Sequence, residues 1–554
     1  MGIARGYVLG LSIWVLAAGC HHVPRDSANS QLAGASGAGS FAAGRGGSGG
    51  AARTINFAEV ARSADARTTG PIKPRTFEED REDRKVRPQA PPPSAARPRK
   101  AFSASPPATA LPLRFDNCGI VAVPCPFDGV VQDACPSCTN PPPDPNAAAG
   151  AGRLVQVVND LIQVTNRFGA VQCGGPVTLN RLLRTNDSLT DPRVQFDNIN
   201  QRFSLAVTVS SVNAGDTPAL WVAATQTEDP CGTWFTFRMA FDGDATPPGT
   251  FLDFPMLAQD TRSLLLSTRN CRNGCRSFIV FAIPKAPIYT AAHVDFPYFT
   301  VDSLTAPVTH AGQPMVDSPA SFFLAAVPDK GYKLYALAPT AFGPVLVSRS
   351  LSSPFSKPSR GARQPGSSVA IDTSDGNITS SPYFDGGKIW FTHVVDEETF
   401  PTVRYGAINL RDATGALNLP NATVSVAEAA HSPWSDDFNP SLAVGFSSLR
   451  ETVYLTWAST DAVVATTATS AVAIAVDAAQ PLKNLFGVGT VYATGGNATG
   501  APSSTVRFGD FSSVSVDPTT SDCAFATQQY FGTNGNWRTR IAPIGECGRV
   551  VIQP

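Results

Sequence analysis

Short β-type runs separated by turn residues fill the chain from about residue 140 onward, and helical periodicity is hard to find past residue 150. The stretch from 194 to 240 shows the pattern best. Val194–Phe196, Phe203–Val209, Ala219–Thr225 and Trp234–Ala240 are four runs rich in β-branched and aromatic residues, each bounded by turn formers. Pieces of the same pattern recur at Leu264–Ser267, Phe278–Ile283, Tyr332–Leu337, Ile389–Thr392 and Val453–Trp457. Each unit opens on a phrase made of a polar residue, usually Asp, then Pro or Ser, then a β-rich run. The copies are Asp144-Pro145, Asp191-Pro192, Asp253-Phe254-Pro255, Gln313-Pro314, Ser381-Pro382, Asn439-Pro440 and Asp510-Phe511-Ser512, roughly 50–70 residues apart. Self-similarity at such a period marks a repeat architecture. Four antiparallel strands per unit describe a blade. The expected fold is therefore all-β: one propeller over 144–554, seven blades by the count of phrases, or six if a terminal unit shares its strands. A Pro where each innermost strand begins removes a donor that the ladder does not need there. A terminal run, 537–541 or 550–552, is expected to pair with the first blade and so remove an edge.

Charged residues make up only 16%, while Gly (46) and Pro (47) are plentiful, as turn-dense β structure requires. The net charge of −1 gives no electrostatic case for nucleic acid or an anionic membrane surface.

The N-terminus carries a different message. An apolar run from Val8 to Ala18 is too short to span a bilayer but suits the core of an export signal. It ends Leu16-Ala17-Ala18-Gly19-Cys20, which resembles the lipobox of bacterial lipoproteins, with Leu one step earlier than usual. The resemblance implies cleavage of residues 1–19 and acylation of Cys20, hence an exported protein held by lipid. With His21 next and no Asp to signal retention, it implies the outer membrane of a Gram-negative cell. An ordinary secretory signal, with Cys20 a spare cysteine, is the alternative. Residues 20–110 are rich in Gly, Ala, Ser, Pro and mixed charges, and bury too little apolar area to fold alone. As a flexible tether they would reach roughly 50–60 Å.

Ten cysteines follow Cys20, an even number that an export signal turns toward disulfides. Cys118, Cys125, Cys135 and Cys138 crowd a lead-in at 111–143, with spacing too wide for a usual zinc ribbon. Cys271 and Cys275 bracket a hairpin tip, and Cys523 with Cys547 would lock the closing blade. No metal site is assigned.

The body resembles exported bacterial propellers of the sialidase-like superfamily, through Asp144-Pro145-Asn146, Asp191–Asp197, Asp229–Trp234 and Gly509–Pro518 leading to Trp537–Ile541. Thr227–Trp234 resembles a degenerate Asp-box, in which Asp229 would bind turn amides around Gly232 and Trp234 would pack between blades. That role is structural. A sialidase needs three converging arginines, and no pattern marks three of Arg153, Arg193, Arg238, Arg262, Arg404 and Arg540 as a cluster. No histidine pairing, nucleophile elbow or phosphate loop is present, so no catalytic residue and no cofactor is assigned. Ser435-Asp436-Asp437 and Asp396-Glu397-Glu398 are either Ca²⁺ ligands or exposed loop acids. The expectation is a lipid-anchored binding or scaffold module for a glycan or a protein; the alternative is a divergent glycosidase acting on an acidic sugar. Cys20→Ala should release the protein from the membrane fraction and abolish acyl labelling. Unchanged fractionation and labelling would contradict the anchor.

Overall fold

The computed structural model describes residues 142–547, with breaks at 151, 211–212, 244–245, 273, 311–319, 342, 386, 412–418, 447–450, 464–468, 479–480 and 521. It also describes 40–41, 47–63, 98–99, 110–111 and 124–134. Strand is 56% and helix 5%, so the chain is all-β, and a five-blade propeller-like arrangement stands out. The described residues form seven sheets of four or more strands, and a two-stranded sheet besides.

The seven are numbered here in chain order by their innermost strands. Those strands are Asn146–Gly150, Leu189–Asp197, Phe251–Gln259, Ala306–Pro307, Tyr383–Asp385, Asp436–Phe446 and Ser513–Val516. The second sheet continues through Arg202–Val209, Ala219–Thr225 and Thr233–Phe241, where the alternating runs placed its strands. Apolar clusters fill the spaces between neighbouring sheets. Val155 and Ile162 of the first meet Phe203 and Trp221 of the second. Leu220 and Phe237 of the second meet Leu266 and Phe281 of the third. Trp390 and Tyr405 of the fifth meet Leu455 and Trp457 of the sixth. Ala149 and Leu154 of the first pack with Phe525 and Ile541 of the seventh, so last meets first. Each buried aromatic in these layers contributes roughly 2–3 kcal/mol of transfer free energy.

The recurring phrase does not always begin the strand. In the second, third and sixth sheets the register slips between Thr190 and Arg193, Asp253 and Met256, and Phe438 and Ser441. The prolines therefore sit at bulges inside the strand. The residue before each Pro is left-handed: φ is 55° at Asp191, 53° at Phe254 and 49° at Asn439, and it is 48° at Asp144. A following Pro disfavours the right-handed region. Asp and Asn enter the left-handed one at least cost, whereas Phe254 is an outlier there. The Gln313-Pro314 copy lies outside the described residues; the fourth inner strand, Ala306–Pro307, precedes it.

Closure differs from expectation. Trp537–Gly545 stays in the seventh sheet, and the N-terminal strand Phe127–Val131 joins it as that sheet's outermost member. The strand that closes the ring thus comes from the lead-in; the 550–552 run lies outside the described residues. Gln156 ties the joint to the first sheet, accepting from Val130 N at 2.8 Å and donating to Thr539 Oγ1 at 2.9 Å.

Most of the 20–110 stretch also lies outside the described residues, but its described strands line outer strands of the sheets, and Arg99 is buried beside Asp437. Gly47–Gly49 and Arg53–Asn56 run along Thr233–Phe241 of the second sheet, and Gly47–Gly49 pairs on its other side with Val294–Phe296. A Cβ at Gly47 would collide with the Phe296 ring, so this close approach needs glycine. The helix Phe57–Arg62 follows, its first turn capped by Asn56 Oδ1 accepting from Glu59 N at 3.0 Å. Ser40–Phe41 pairs with the outer strand of the fourth sheet and Ala110–Leu111 lies along the sixth. Edges that would otherwise template aggregation are thereby occupied.

Candidate functional site

The bulges bring charged residues of several sheets together where the inner strands begin, around the mouth of the central axis. Two aspartates there are part of the framework. Asp144 is fully buried; its carboxylate accepts from Asn159 Nδ2 at 2.6 Å and from Asp510 N at 2.7 Å. Asp191 accepts from Thr190 Oγ1 at 2.9 Å and from Phe254 N at 3.3 Å. Arg193 is buried beside them, its guanidinium 4.0 Å over the Phe511 ring. Burial lowers its pKa to about 10, against the opposing pull of Asp191 and Asp144, and it stays charged at neutral pH.

Four other groups face outward. Asp253 and Arg269 of the third sheet stand 3.8 Å apart, and Arg269 lies 5.1 Å over the Phe254 ring. Arg507 and Asp510, in the segment leading to the seventh sheet, pair at 2.8 Å. Their side chains are 15–32% exposed. Phe254 packs edge-on against Phe511, ring centres 4.8 Å apart, which holds the two acid–base pairs side by side. Asp253 is pushed up to about 7, chiefly by burial. Arg269 opposes the rise, while the negative charges of Asp191 and Asp510 add to it. The mouth thus holds a carboxyl that is half protonated near neutrality, beside other carboxylates.

Beneath the rim the Cys271–Cys275 disulfide closes the hairpin that carries Arg269. Asp253, Cys271 and Cys275 bring metal-binding atom types together, but with the two sulfurs bonded to each other the trio offers no thiolate. Loops rise on one flank: Ala370–Ile371, in the connection between the fourth and fifth sheets, pairs in parallel with Thr505–Val506, between the sixth and seventh.

Other residues singled out from the sequence lie away from the mouth. Asp229 accepts from Cys231 N at 3.0 Å, Gly232 N donates to Asp229 O, and Trp234 is fully buried between the first two sheets, its Nε1 donating to Pro230 O. Cys523 bonds Cys547 within the seventh sheet, and Cys173 bonds Cys231, joining turns of the first and second. Cys118, Cys135 and Cys138 lie outside the described residues, as does Cys20; Cys125 is half-buried just before the closing strand. Of the six arginines weighed for an acid-binding triad, Arg193 alone is at the mouth. Arg238 pairs with Asp187, Arg404 with Glu428, and Arg540 with Asp128. Asp396 caps a turn, accepting from Thr399 N at 2.8 Å and Ser359 N at 3.0 Å.

Asp436 and Asp437 are neither exposed loop acids nor arranged for Ca²⁺. Both are buried. Asp436 accepts from Arg360 Nη1 and Nη2 at 2.8 and 2.6 Å and from Arg363 Nε at 2.9 Å. These guanidinium groups hold its carboxyl below the usual range despite burial. Asp437 accepts from Arg99 Nη1 at 3.4 Å, Ser435 Oγ at 2.6 Å and Trp457 Nε1 at 2.9 Å. All three arginines gather over the Phe400 ring. His393 is a core residue, fully buried between Tyr332 Oη and Gly376 O, and burial lowers its pKa to about 3.

The residues that sequence reasoning missed are Asp253, Arg269, Arg507 and Asp510. The two acids were visible as heads of the repeated phrase; nothing in the pattern marked the arginines.

No protein-family model and no curated protein matches the chain. Among solved structures, an exo-β-1,3-galactanase from Clostridium thermocellum aligns at 10% identity over 51% of this chain and 58% of its own, TM-score 0.27. An α-L-arabinofuranosidase from Fusarium graminearum aligns at 10% identity over 62% and 89%, TM-score 0.31. A S. cerevisiae Dbp5 complex holding ADP aligns at 12% over 76% and 94%, TM-score 0.34. Likeness this low leaves fold and activity to the chain's own geometry.

The Asp253 carboxyl has a consequence for stability. Its folded pKa of about 7 lies above the ordinary 3.8. Between about pH 4 and pH 7 the folded chain keeps a proton that the unfolded chain has released, so stability falls as pH rises through that window and levels off above it. Asp253→Asn should remove this slope and gain on the order of 4 kcal/mol over the wild type at pH 8 relative to pH 4. Urea midpoints at constant m-value test this; identical pH profiles for the two proteins would contradict it.

Proposed function

We propose that this protein is a propeller of seven blades, one per sheet, tethered to the outer membrane through acylated Cys20, which binds a glycan at the mouth of its axis. The observation that carries the reading is the half-buried quartet Asp253, Arg269, Arg507 and Asp510 at the mouth. Two carboxylates and two guanidinium groups side by side offer acceptors and donors in the alternation that reads vicinal hydroxyls. The packing between neighbouring sheets, with last against first, supports seven blades. The three disulfides among the described residues are compatible with an exported protein. An acid-sugar triad is not favoured: Arg269 and Arg507 each already hold a carboxylate, and Arg193 is buried.

A second reading, a glycoside hydrolase, is favoured by one feature. Asp253, raised to about 7, would serve as general acid with Asp510 as the second carboxyl of the pair.

Calorimetric titration with neutral and uronic-acid polysaccharides tests the first reading. The Arg269→Ala, Arg507→Ala double variant should bind at least about tenfold more weakly, a loss of about 1.4 kcal/mol, with an unchanged melting temperature. No binding across the panel would overturn it. Turnover of fluorogenic glycosides that is lost in Asp253→Asn would replace binding by hydrolysis.

A further inference from the structure

Below the mouth, the inner strands line a cavity of about 40 Å³, bordered by Arg193, Gln195, Tyr383, Ser441, Ser513 and Ser515 among others. A space of that size admits one or two water-sized occupants. Arg193 is the only charged residue in the lining. It is 3% exposed. Its Nη2 donates to Thr379 O at 3.2 Å and faces Met256 Sδ at 3.4 Å, while Nη1 is buried with no hydrogen-bond partner. None of the described ion pairs includes it. The nearby carboxylates of Asp144 and Asp191 are turned to other donors: Asn159 and the Asp510 amide for the first, Thr190 and the Phe254 amide for the second. A buried guanidinium with no direct counter-charge is costly to keep.

The serines complete the pattern. Ser441 Oγ accepts from Val514 N at 3.1 Å, Ser513 Oγ from Ala147 N at 2.8 Å, and Ser515 Oγ from Ala149 N at 2.8 Å. Each oxygen is occupied as an acceptor, so each hydroxyl hydrogen remains to be donated, and no described acceptor takes it. Three hydroxyls and one guanidinium N–H therefore border the space as donors, facing the unpaired Gln195 Oε1 and the second lone pairs of the serine oxygens as acceptors. A water molecule donates as readily as it accepts, and would leave part of this donor set unmet. An anion accepts from all of it.

We propose that the axial cavity binds one small monovalent anion of the halide class, held by Arg193 Nη1 and the hydroxyls of Ser441, Ser513 and Ser515. The ion sits where the second, sixth, seventh and first sheets converge and acts as a structural counter-ion that closes the ring. The single guanidinium charge matches a monovalent anion, and a cation is repelled by Arg193.

Crystals of the full chain grown in sodium bromide test this directly. An anomalous peak within hydrogen-bond distance of Arg193 Nη1 is expected; water alone at that place overturns the proposal. In solution, the melting temperature should be at least about 2 °C higher in sodium chloride than in sodium gluconate at equal ionic strength. In Arg193→Met that difference should vanish. Equal melting temperatures of the wild type in the two salts overturn the proposal, whether or not the variant folds.

Discussion

The inner strands of a ring of sheets face a problem that ladder pairing cannot solve. Most are hydrogen-bonded to their own sheet on one side and meet a neighbouring inner strand on the other with no ladder between them; the fifth is the exception, where Tyr383 and Phe384 pair in parallel with Thr309 and His310. Backbone groups there are buried, and a buried unpaired amide costs about as much as a lost hydrogen bond. This chain meets the cost with side chains. Asn146 Oδ1 accepts from Val194 N at 2.8 Å, joining the first sheet to the second. Asp191 reaches the Phe254 amide of the third. Ser381 Oγ donates to Leu257 O at 2.7 Å. Asn439 Nδ2 donates to Phe511 O at 3.3 Å and Ser512 Oγ donates to Asn439 O at 3.0 Å, across the sixth and seventh. Ser513, Ser515 and Asp144 join the seventh to the first. Short polar side chains at the axis are thus the condition for closure, and the repeated phrase supplies many of them.

The bulges follow from the same need. A left-handed residue before proline turns the strand so that its side chain points sideways, toward the next sheet, and not into its own. Asp and Asn serve both requirements, since they tolerate the conformation and accept from an amide. Once Asp144 and Asp191 are committed to neighbouring backbones, the outward charges of the third and seventh sheets remain available to a ligand. The mouth is therefore a by-product of the framework: the third sheet places Phe254, where others place Asp or Asn, in the left-handed position, and Asp253 is left facing outward beside Arg269.

Strand pattern was legible because it is local. The four runs of the second sheet were readable from their β-branched and aromatic residues and the turn formers that bound them, and Cys523 with Cys547 from position. The arginine cluster was not, since Arg99 and Asp437 are 338 residues apart and no spacing rule joins them. Nor was closure by Phe127–Val131, because a five-residue strand ahead of the first sheet looks the same whether it pairs forward or across the ring. The Asp436-Asp437 pair read as surface acid because its burying partners come from distant loops. At the mouth, the acids carried the signal of the phrase, but which aspartates face inward depends on bulge geometry that composition does not encode.

The account stands on side-chain clamps between sheets, and native-state hydrogen exchange of Asp144→Ala measures them. Loss of the Asp144 carboxylate should lower protection not only around 144–150 but also across 510–516, in the sheet it clamps, while the second half of the third sheet keeps its protection. A loss confined to 144–150 would contradict the claim that these residues hold neighbouring sheets together.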